Sequence, residues 1–588
     1  MEKITFALVC TLLCFGFGVV LGADDNWWQH ANFYQIYPRS FMDSDGDGIG
    51  DLPGITQKVS YLRNELGIDA VWLSPIFKSP MADFGYDISD FRDIYEKFGT
   101  IADLENLAAE CRRQGLKLIL DFVPNHSSDE HDYFVKSVNK VDPYTDYYVW
   151  HPGKLLPNGT RVPPSNWISV FIGSAWEWND VRKEYYLHQF LKKQPDLNYR
   201  NPAVVQEMKD VLRYWLDKGV DGFRVDALPY LYEAPVGSDG NYPDEAKTGN
   251  TQDSTNPDYL YHNLTQNLDE TFDMIYQWRE VLEQFKTDTA RTEDVVLMIE
   301  AYTPLENIIR LYGDDATGRE GAQIPFNFEV LSNIFKDSNG KKFHDMVMRF
   351  MNAKPEGRYA NWVLGNHDNK RLASRLGVKR ADLYNIALNT LPDVAVTYNG
   401  EELGMEDVYI PWSETIDPAA CNSNPRDFMK YSRDPARTPM LWDSSTSAGF
   451  STSATTWLPV SANYKSVNYE VQKSAPRSHV KIFKSLLRLR KQQTLRKGGF
   501  EMKLLDDDLL VIKRHLDGVS TVVSILNFHK STRTVNLSQA FDGLPLEFEI
   551  ITSSLQTNYI DGSVVDRDNI SLPAEAAIVL EGNIANGV

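Results

Sequence analysis

Short apolar runs recur along most of the chain, and between them apolar residues return at helical spacing. Such alternation is how a parallel sheet with crossover helices reads in sequence, because each strand is buried on both faces and each helix on one. The runs are Phe33 to Tyr37, Ala70 to Leu73, Lys117 to Phe122, Gly222 to Val225, Val295 to Ile299, Gln323 to Phe328, Trp362 to Leu364 and Val394 to Tyr398. Together they predict an α/β chain closed as a (β/α)8 TIM barrel. Between the third and fourth runs the pattern breaks. Residues 126–198 are rich in Pro, Gly, Trp and Tyr without a helical period, which predicts an inserted subdomain overhanging the barrel mouth. The helical segment Val480 to Gln492 closes the barrel. After it, Leu509 to Lys513, Thr521 to Asn527, Glu547 to Ile551 and Ala576 to Leu580 alternate between turn residues, as in a β-sandwich. The predicted organisation is a barrel over 23–125 and 199–498, the subdomain at 126–198 and the sandwich at 499–588.

The chain starts with a lysine, an apolar stretch and then small residues before Asp24-Asp25, the layout of a cleaved secretory signal over residues 1–22. An uncleaved membrane anchor is the rival reading of the same stretch. Val20-Leu21-Gly22-Ala23 offers a cleavage site, so a secreted, extracellular protein without a membrane span is expected. Cys10 and Cys14 leave with the signal. Of the remaining two cysteines, Cys111 lies in a helical pattern and Cys421 in a polar loop, and both are expected as free thiols. Asn158, Asn263, Asn536 and Asn569 are glycosylation acceptors by pattern; Asn125 fits the pattern too, but ends a buried strand. The formal charge of -21 disfavours nucleic acid and anionic membrane as partners, since both need basic patches. Nothing in the sequence sets the oligomeric state.

Three carboxylates change the picture. Asp226 ends Gly-Phe-Arg-Val-Asp, Glu300 ends Val-Val-Leu-Met-Ile-Glu, and Asp368 ends Trp-Val-Leu-Gly-Asn-His-Asp. A parallel barrel carries its chemistry at the C-terminal ends of its strands, so acids so placed converge on one pocket. Without a cofactor motif, three such acids point to glycoside hydrolysis. Arg224 lies two residues before Asp226, on the same face of the strand, where its charge favours the ionised carboxylate that a nucleophile needs. A structural ion pair is the bland alternative for that pair. Glu300 would then be the general acid, and Asp368, beside His367, a fixed negative charge.

A second cluster, Asp43, Asp45, Asp47 and Asp51 interleaved with Gly46, Gly48 and Gly50, is how an oxygen cage for a structural Ca2+ is built, with the Ile49 carbonyl as a further ligand. It is not an EF-hand, because Gly54 stands where the bidentate glutamate would fall. The alternative is a solvated acidic turn.

The stretches Asp121-Phe-Val-Pro-Asn-His126, Gly222-Phe-Arg-Val-Asp-Ala227, Glu300 and Asn366-His-Asp368, in this order, resemble glycoside hydrolase family 13, the α-amylase family. Gln194-Pro-Asp-Leu-Asn198 is similar to the mark of its oligo-1,6-glucosidase and maltase branch. The resemblance covers nearly the whole chain from Trp27 and implies Asp226 as nucleophile, Glu300 as acid and base, and Asp368 as transition-state stabiliser. It also implies that Asp83, Tyr86, His126, Phe171, His367 and Arg437 line the first glucose subsite, with Asp83 and Arg437 gripping the non-reducing end. In that branch valine at position 227 accompanies α-1,6 cleavage, so Ala227 implies a preference for α-1,4 bonds. One departure, Leu391-Pro-Asp-Val in place of a Gly-Thr-Pro run, touches none of the three acids. The expected function is a secreted retaining α-glucosidase acting on maltose, sucrose and short maltooligosaccharides. The alternatives are a non-catalytic receptor or transporter heavy chain, and a transglucosidase or sucrose isomerase.

Overall fold

The computed structural model describes residues 26–582. The predicted signal, with Cys10 and Cys14, lies outside them. Eight parallel strands share one sheet: β1 Asn32–Ile36, β2 Ala70–Leu73, β3 Lys117–Phe122, β4 Gly222–Val225, β5 Val296–Ile299, β6 Ile324–Pro325, β7 Asn361–Val363 and β8 Val394–Tyr398. Their order, β6-β5-β4-β3-β2-β1-β8-β7, winds once around the barrel axis. At the seam between β6 and β7 the Asn361 side chain accepts from Asn327 N (2.8 Å) and donates to the Pro325 carbonyl (2.5 Å). β6 is shorter than the run Gln323 to Phe328 that announced it. Pro325 has no N–H to give a ladder, and the Gln323 side chain takes the place of the backbone, accepting from Leu297 N (2.8 Å) and donating to the Val295 carbonyl (2.9 Å).

Alternate strand residues face the axis. Phe33, Ala70, Trp72, Ile119, Val296, Met298, Val394 and Val396 pack together inside the barrel. Tyr34, Val71, Leu118, Leu120, Phe223, Val225, Leu297 and Ile299 belong instead to the larger core shared with the helices. Continuing the inward set by two residues gives Gln35, Ser74, Asp121 and Glu300, with Arg224 in register beside Asp121. The interior therefore turns from apolar to polar at the C-terminal ends of the strands. At their N-terminal ends β4 and β5 approach closely because position 222 carries no side chain: a Cβ on Gly222 would lie 2.2 Å from the Val296 carbonyl oxygen.

The excursion after β3 holds a helix, Asp132–Val138, and an antiparallel sheet of Trp150–His151, Glu184–Leu187 and Trp176–Asn179. The helix was not legible as a period because it has only seven residues. Val149, Trp167, Ala175, Trp176 and Leu187 form the core of this region, and Tyr242, from the excursion after β4, joins them. Asn166 Nδ2 donates to the Glu245 carbonyl (2.9 Å) across the same junction. The subdomain is thus completed by a second stretch of chain that the sequence reading left in the barrel.

The helix Val378–Thr390 is buried at every position from Arg380 to Thr390. It has no solvent face because the barrel covers one side and a C-terminal antiparallel sheet the other. That sheet runs, in spatial order, Gly499–Asp506, Leu509–Leu516, Ser520–Asn527, Ala577–Gly582, Glu547–Ser553 and Val564–Asp566, faced by the pair Arg533–Val535 and Ile570–Leu572. Val511, Val523, Phe548, Ile550, Ile570 and Leu572 fill the space within this domain. Cys111 is buried in the helix Ile101–Gln114, Cys421 is exposed at the end of the short helix Pro418–Cys421, and both are free thiols. Asn158, Asn263 and Asn569 are exposed and Asn536 is half-buried, whereas Asn125 is buried. Among the described residues no helix is long and apolar enough to cross a membrane.

Candidate active site

The polar end of the barrel interior opens into a cavity of about 210 Å3 that contains Asp226, Glu300 and Asp368. Asp226 and Glu300 each extend the ladder by one residue, with Asp226 N donating to the Phe122 carbonyl (2.8 Å) and Glu300 N to that of Val225 (2.9 Å). Beneath them Arg224 is fully buried. Its Nη1 donates to Asp121 Oδ1 (2.9 Å) and Asp226 Oδ1 (2.5 Å), its Nη2 lies 3.8 Å from Glu300 Oε2, and its guanidinium sits 4.8 Å over the Trp72 ring. One cation thus fixes three carboxylates, and two of them face the cavity. Ala227 adopts a left-handed conformation (φ +51°), which turns its N–H onto Glu300 Oε2 at 3.0 Å.

Burial and charge push these acids apart. Burial raises the Asp226 carboxyl to about 6; Arg224 acts in the expected direction, toward the ionised form, but does not offset the burial. Burial also raises Glu300, to about 8, since Arg224 stands farther off and Asp226 and Asp368 add like charge. At neutral pH Asp226 is mostly ionised and Glu300 mostly protonated, the division of labour that a nucleophile and a general acid require. Burial would raise Asp368 as well, yet its carboxyl lies well below the usual range because of the charges around it. Among these His367 counts only if protonated, and burial holds that ring neutral. The lowering therefore falls to Arg437, whose Nη2 is 2.9 Å from Asp368 Oδ1, and to Arg433 at 3.4 Å.

His367 works behind the wall. Gln35 Nε2 donates to its Nδ1 (2.7 Å), which leaves Nε2 as the protonated nitrogen, 2.6 Å from Tyr86 Oη. Tyr86 in turn donates to Asp121 Oδ2 (3.2 Å), and the two rings stack 5.4 Å apart and nearly parallel. Tyr86 reaches the cavity; His367, Arg224 and Arg437 support it from outside its lining.

The Asp83 end of the cavity differs from the expectation. The arginine that faces Asp83 is Arg433, not Arg437: its Nη2 lies 2.7 Å from Asp83 Oδ1 and 2.6 Å from Asp417 Oδ1. Arg437, wholly buried, instead donates through Nε to the His367 carbonyl (2.9 Å) and grips Asp368 from behind. Both arginines flank the 3-10 turn Asp434–Ala436, whose curvature sends their side chains to different targets, and no periodicity in the loop announces which. Gln194 Nε2 reaches Asp83 Oδ2 (3.2 Å) and His126 Nε2 (3.1 Å), which ties the subdomain to this end of the cavity. Phe171, Phe190 and Tyr230 form an aromatic side, and Tyr302, two residues past Glu300, completes the lining. Of these, Phe190, Tyr230, Tyr302, Arg433 and the buried partner Asp417 were not identified from sequence. Only Asp121 carried a usable signal, its inward parity beside Arg224.

The acidic turn is separate. Oxygens of Asp43, Asp45 and Asp51 lie within 4.8 Å of one another. Backbone N–H groups of Asp45, Gly46 and Gly48 donate to Asp43, and those of Ser44 and Gly54 to Asp51. Asp47 is not drawn into this group, since its Oδ2 pairs with Lys97 (2.9 Å) and its Oδ1 accepts from Ile49 N. Three hard oxygen donors this close suit a divalent cation such as Ca2+.

The chain is similar to known proteins. A family model described as "Alpha amylase, catalytic domain" matches residues 35–498. The chain is 56% identical to a salivary alpha-glucosidase of Aedes aegypti over 98% of both chains, and 52% identical to Maltase A1 of Drosophila melanogaster over 92% of this chain and 93% of that one. Among solved structures, the alpha-glucosyl transfer enzyme XgtA superposes with a TM-score of 0.81 at 32% identity, covering 95% of this chain and 100% of that one. With three acids converging at the C-terminal end of the barrel and a family match spanning most of its length, the chain belongs to the α-amylase family, glycoside hydrolase family 13, and is a glycosidase.

Proposed function

We propose that the protein is a retaining α-glucosidase that removes single glucose units from the non-reducing ends of maltose, sucrose and short maltooligosaccharides. The observation that carries this reading is the ion pair of Asp83 and Arg433 in the wall of the cavity that holds the three acids. In this reading the ion pair of Asp83 and Arg433 closes the cavity behind Asp226, Glu300 and Asp368, so that a chain enters by its terminus. A carboxylate and a guanidinium side by side also match the hydroxyls of a terminal sugar. In the first step Asp226 attacks the anomeric carbon while Glu300 protonates the departing oxygen; in the second, Glu300 takes a proton from water, which displaces Asp226. Asp368, ionised and fixed by Arg437, offsets the positive charge on the ring between these states.

The proposal extends to context. The apolar leader of the sequence and the exposed Asn158, Asn263 and Asn569 support secretion as a glycoprotein, with Asn536 as a further acceptor. Asp43, Asp45 and Asp51 would hold Ca2+; the Ile49 carbonyl lies in the same turn, and Asp47 would join only on leaving Lys97. The ion would neutralise their repulsion and rigidify the loop; no chemical step needs it. The test is product analysis by NMR on maltose and sucrose at low and high concentration. The reading requires α-glucose as the first anomer released. β-Glucose, or no turnover, would overturn it, and predominance of transfer products would make the protein a transglucosidase instead.

A further inference from the structure

A second cavity of about 530 Å3 adjoins the catalytic one, and Phe171 and Phe190 line both. Its other walls come from Ala82, the neighbour of Asp83, from His188, from Leu191 to Lys193, from Glu177 and from Asn422. His188 is 2% exposed. Its Nδ1 lies 3.0 Å from the Phe190 carbonyl and so carries the ring proton, which makes Nε2 an acceptor. That Nε2 is buried with no hydrogen-bond partner in the structure. A buried acceptor without a donor is unfavourable unless something entering the cavity supplies an O–H or N–H. The charges nearby are already matched, Lys192 with Glu177 at 2.8 Å and Lys193 with Glu130 at 3.7 Å, so the cavity offers no free charge to an ion. Aromatic rings, an unpaired acceptor, a carboxamide and a neutralised rim suit a polyhydroxylated neutral ligand.

We propose that this cavity is a second binding site for a neutral sugar, a glucose unit of an oligosaccharide, set back to back with the catalytic cavity across the rings of Phe171 and Phe190. The choice of ligand rests on the α-glucosidase reading. The partition is suited to transmit occupancy. Phe171 packs 5.3 Å from the Arg433 guanidinium on the catalytic side, and its carbonyl accepts from Asn422 (3.3 Å). Ile172, next to it, is held at φ +74°, a conformation that β-branched residues rarely adopt. A ring shifted from one side is felt on the other.

The experiment is calorimetric titration of the full-length Glu300→Gln protein, which binds but does not cleave, with maltotriose. Two sites per chain are expected. The added substitution Lys192→Trp, at a largely exposed position where it fills the cavity, should leave one, and so should His188→Phe, which keeps the shape and removes the acceptor. In the otherwise wild-type protein both substitutions should keep a cooperative thermal melt and measurable maltose turnover, which shows that they fold. A single site in Glu300→Gln, or two sites that survive both substitutions, would overturn the proposal while the glucosidase reading stands. Absence of maltose turnover by the wild type would overturn that reading, and with it the choice of ligand.

Discussion

On the floor of the catalytic cavity Asp226 and Glu300 leave adjacent strands one residue past the ladder, whereas at its far end Asp83, Gln194 and Arg433 arrive from three separate excursions. The floor is fixed by sheet register: Arg224 stands beside Asp121 because β3 and β4 pair there, and the charges then sort themselves around it. The Asp83 end is fixed only by mutual contact. Arg433 bridges Asp83 and Asp417, and Asp417 also accepts from Arg433 N. Removing one member of the floor should therefore disable chemistry and spare the architecture, while removing one member of the Asp83 end should loosen several loops at once.

The largest effect is expected on the floor. Asp226→Ala and Glu300→Gln should each lower kcat/KM by roughly 1,000-fold or more. An aryl leaving group that needs no protonation should restore the first step in Glu300→Gln only. The pH profile sharpens the assignment: wild-type kcat/KM should rise as Asp226 loses its proton near 6 and fall as Glu300 loses its own near 8. Glu300→Gln should abolish the alkaline limb and keep the acid one. Equal rescue of both variants, or an alkaline limb that survives in Glu300→Gln, would refute the roles.

Next comes the Asp83 end. Arg433→Ala leaves Asp83 and Asp417 buried without their cation, so a loss of about 3 kcal/mol or more of stability is expected. Misplacing the terminal sugar should also cost roughly 100-fold in kcat/KM, largely through KM. Arg437→Ala should act differently, through the charge state of Asp368, and lower kcat more than it raises KM. If the two variants exchange these patterns in thermal melts and steady-state kinetics, the assignment of the gripping arginine to position 433 is wrong.

A smaller effect tests the join between floor and opening. Ala227→Val should shift the maltose to isomaltose rate ratio toward isomaltose by roughly 10-fold, the scale of a methyl-sized change in a pocket. The left-handed backbone at this position adds a second consequence, since a β-branched residue strains it by about 1–2 kcal/mol. The N–H that holds Glu300 would move, so turnover of both sugars should fall. An unchanged ratio would place linkage specificity in the excursion after β3.

The smallest effect lies outside the cavity. A chelator should lower the melting temperature by roughly 3–8 °C and Ca2+ restore it, as expected for an ion bound only by the native state. Asp45→Ala, at an exposed position of the cluster, should remove the response. A wild-type melt indifferent to both would make the turn merely acidic.

The same contrast explains what could be read before folding. Strand residues carry parity, so Gly222-Phe-Arg-Val-Asp226 announces two inward polar groups, and β2, β3, β4 and β8 were bounded correctly from their apolar runs. Loop residues carry none. Arg433 and Arg437 are equally plausible by composition, and only the fold of the turn between them decides that one meets Asp83 and the other Asp368. Tyr242 was unreadable for the same reason, because its place in the subdomain core depends on an excursion from another strand. The helix Val378–Thr390 showed no amphipathic face because both of its sides are covered.

The central claim, that Asp226 is the nucleophile of a retaining mechanism, is tested most directly by trapping its product. The protein is incubated with 5-fluoro-α-glucosyl fluoride, whose ring fluorine slows hydrolysis of the covalent intermediate more than its formation, and the proteolytic fragments are weighed. The account predicts one fluoroglucosyl group on the peptide containing Gly222-Phe-Arg-Val-Asp226, with fragmentation placing it on Asp226. A label on Glu300 or Asp368, or turnover of the reagent with no covalent species at any time, would contradict it.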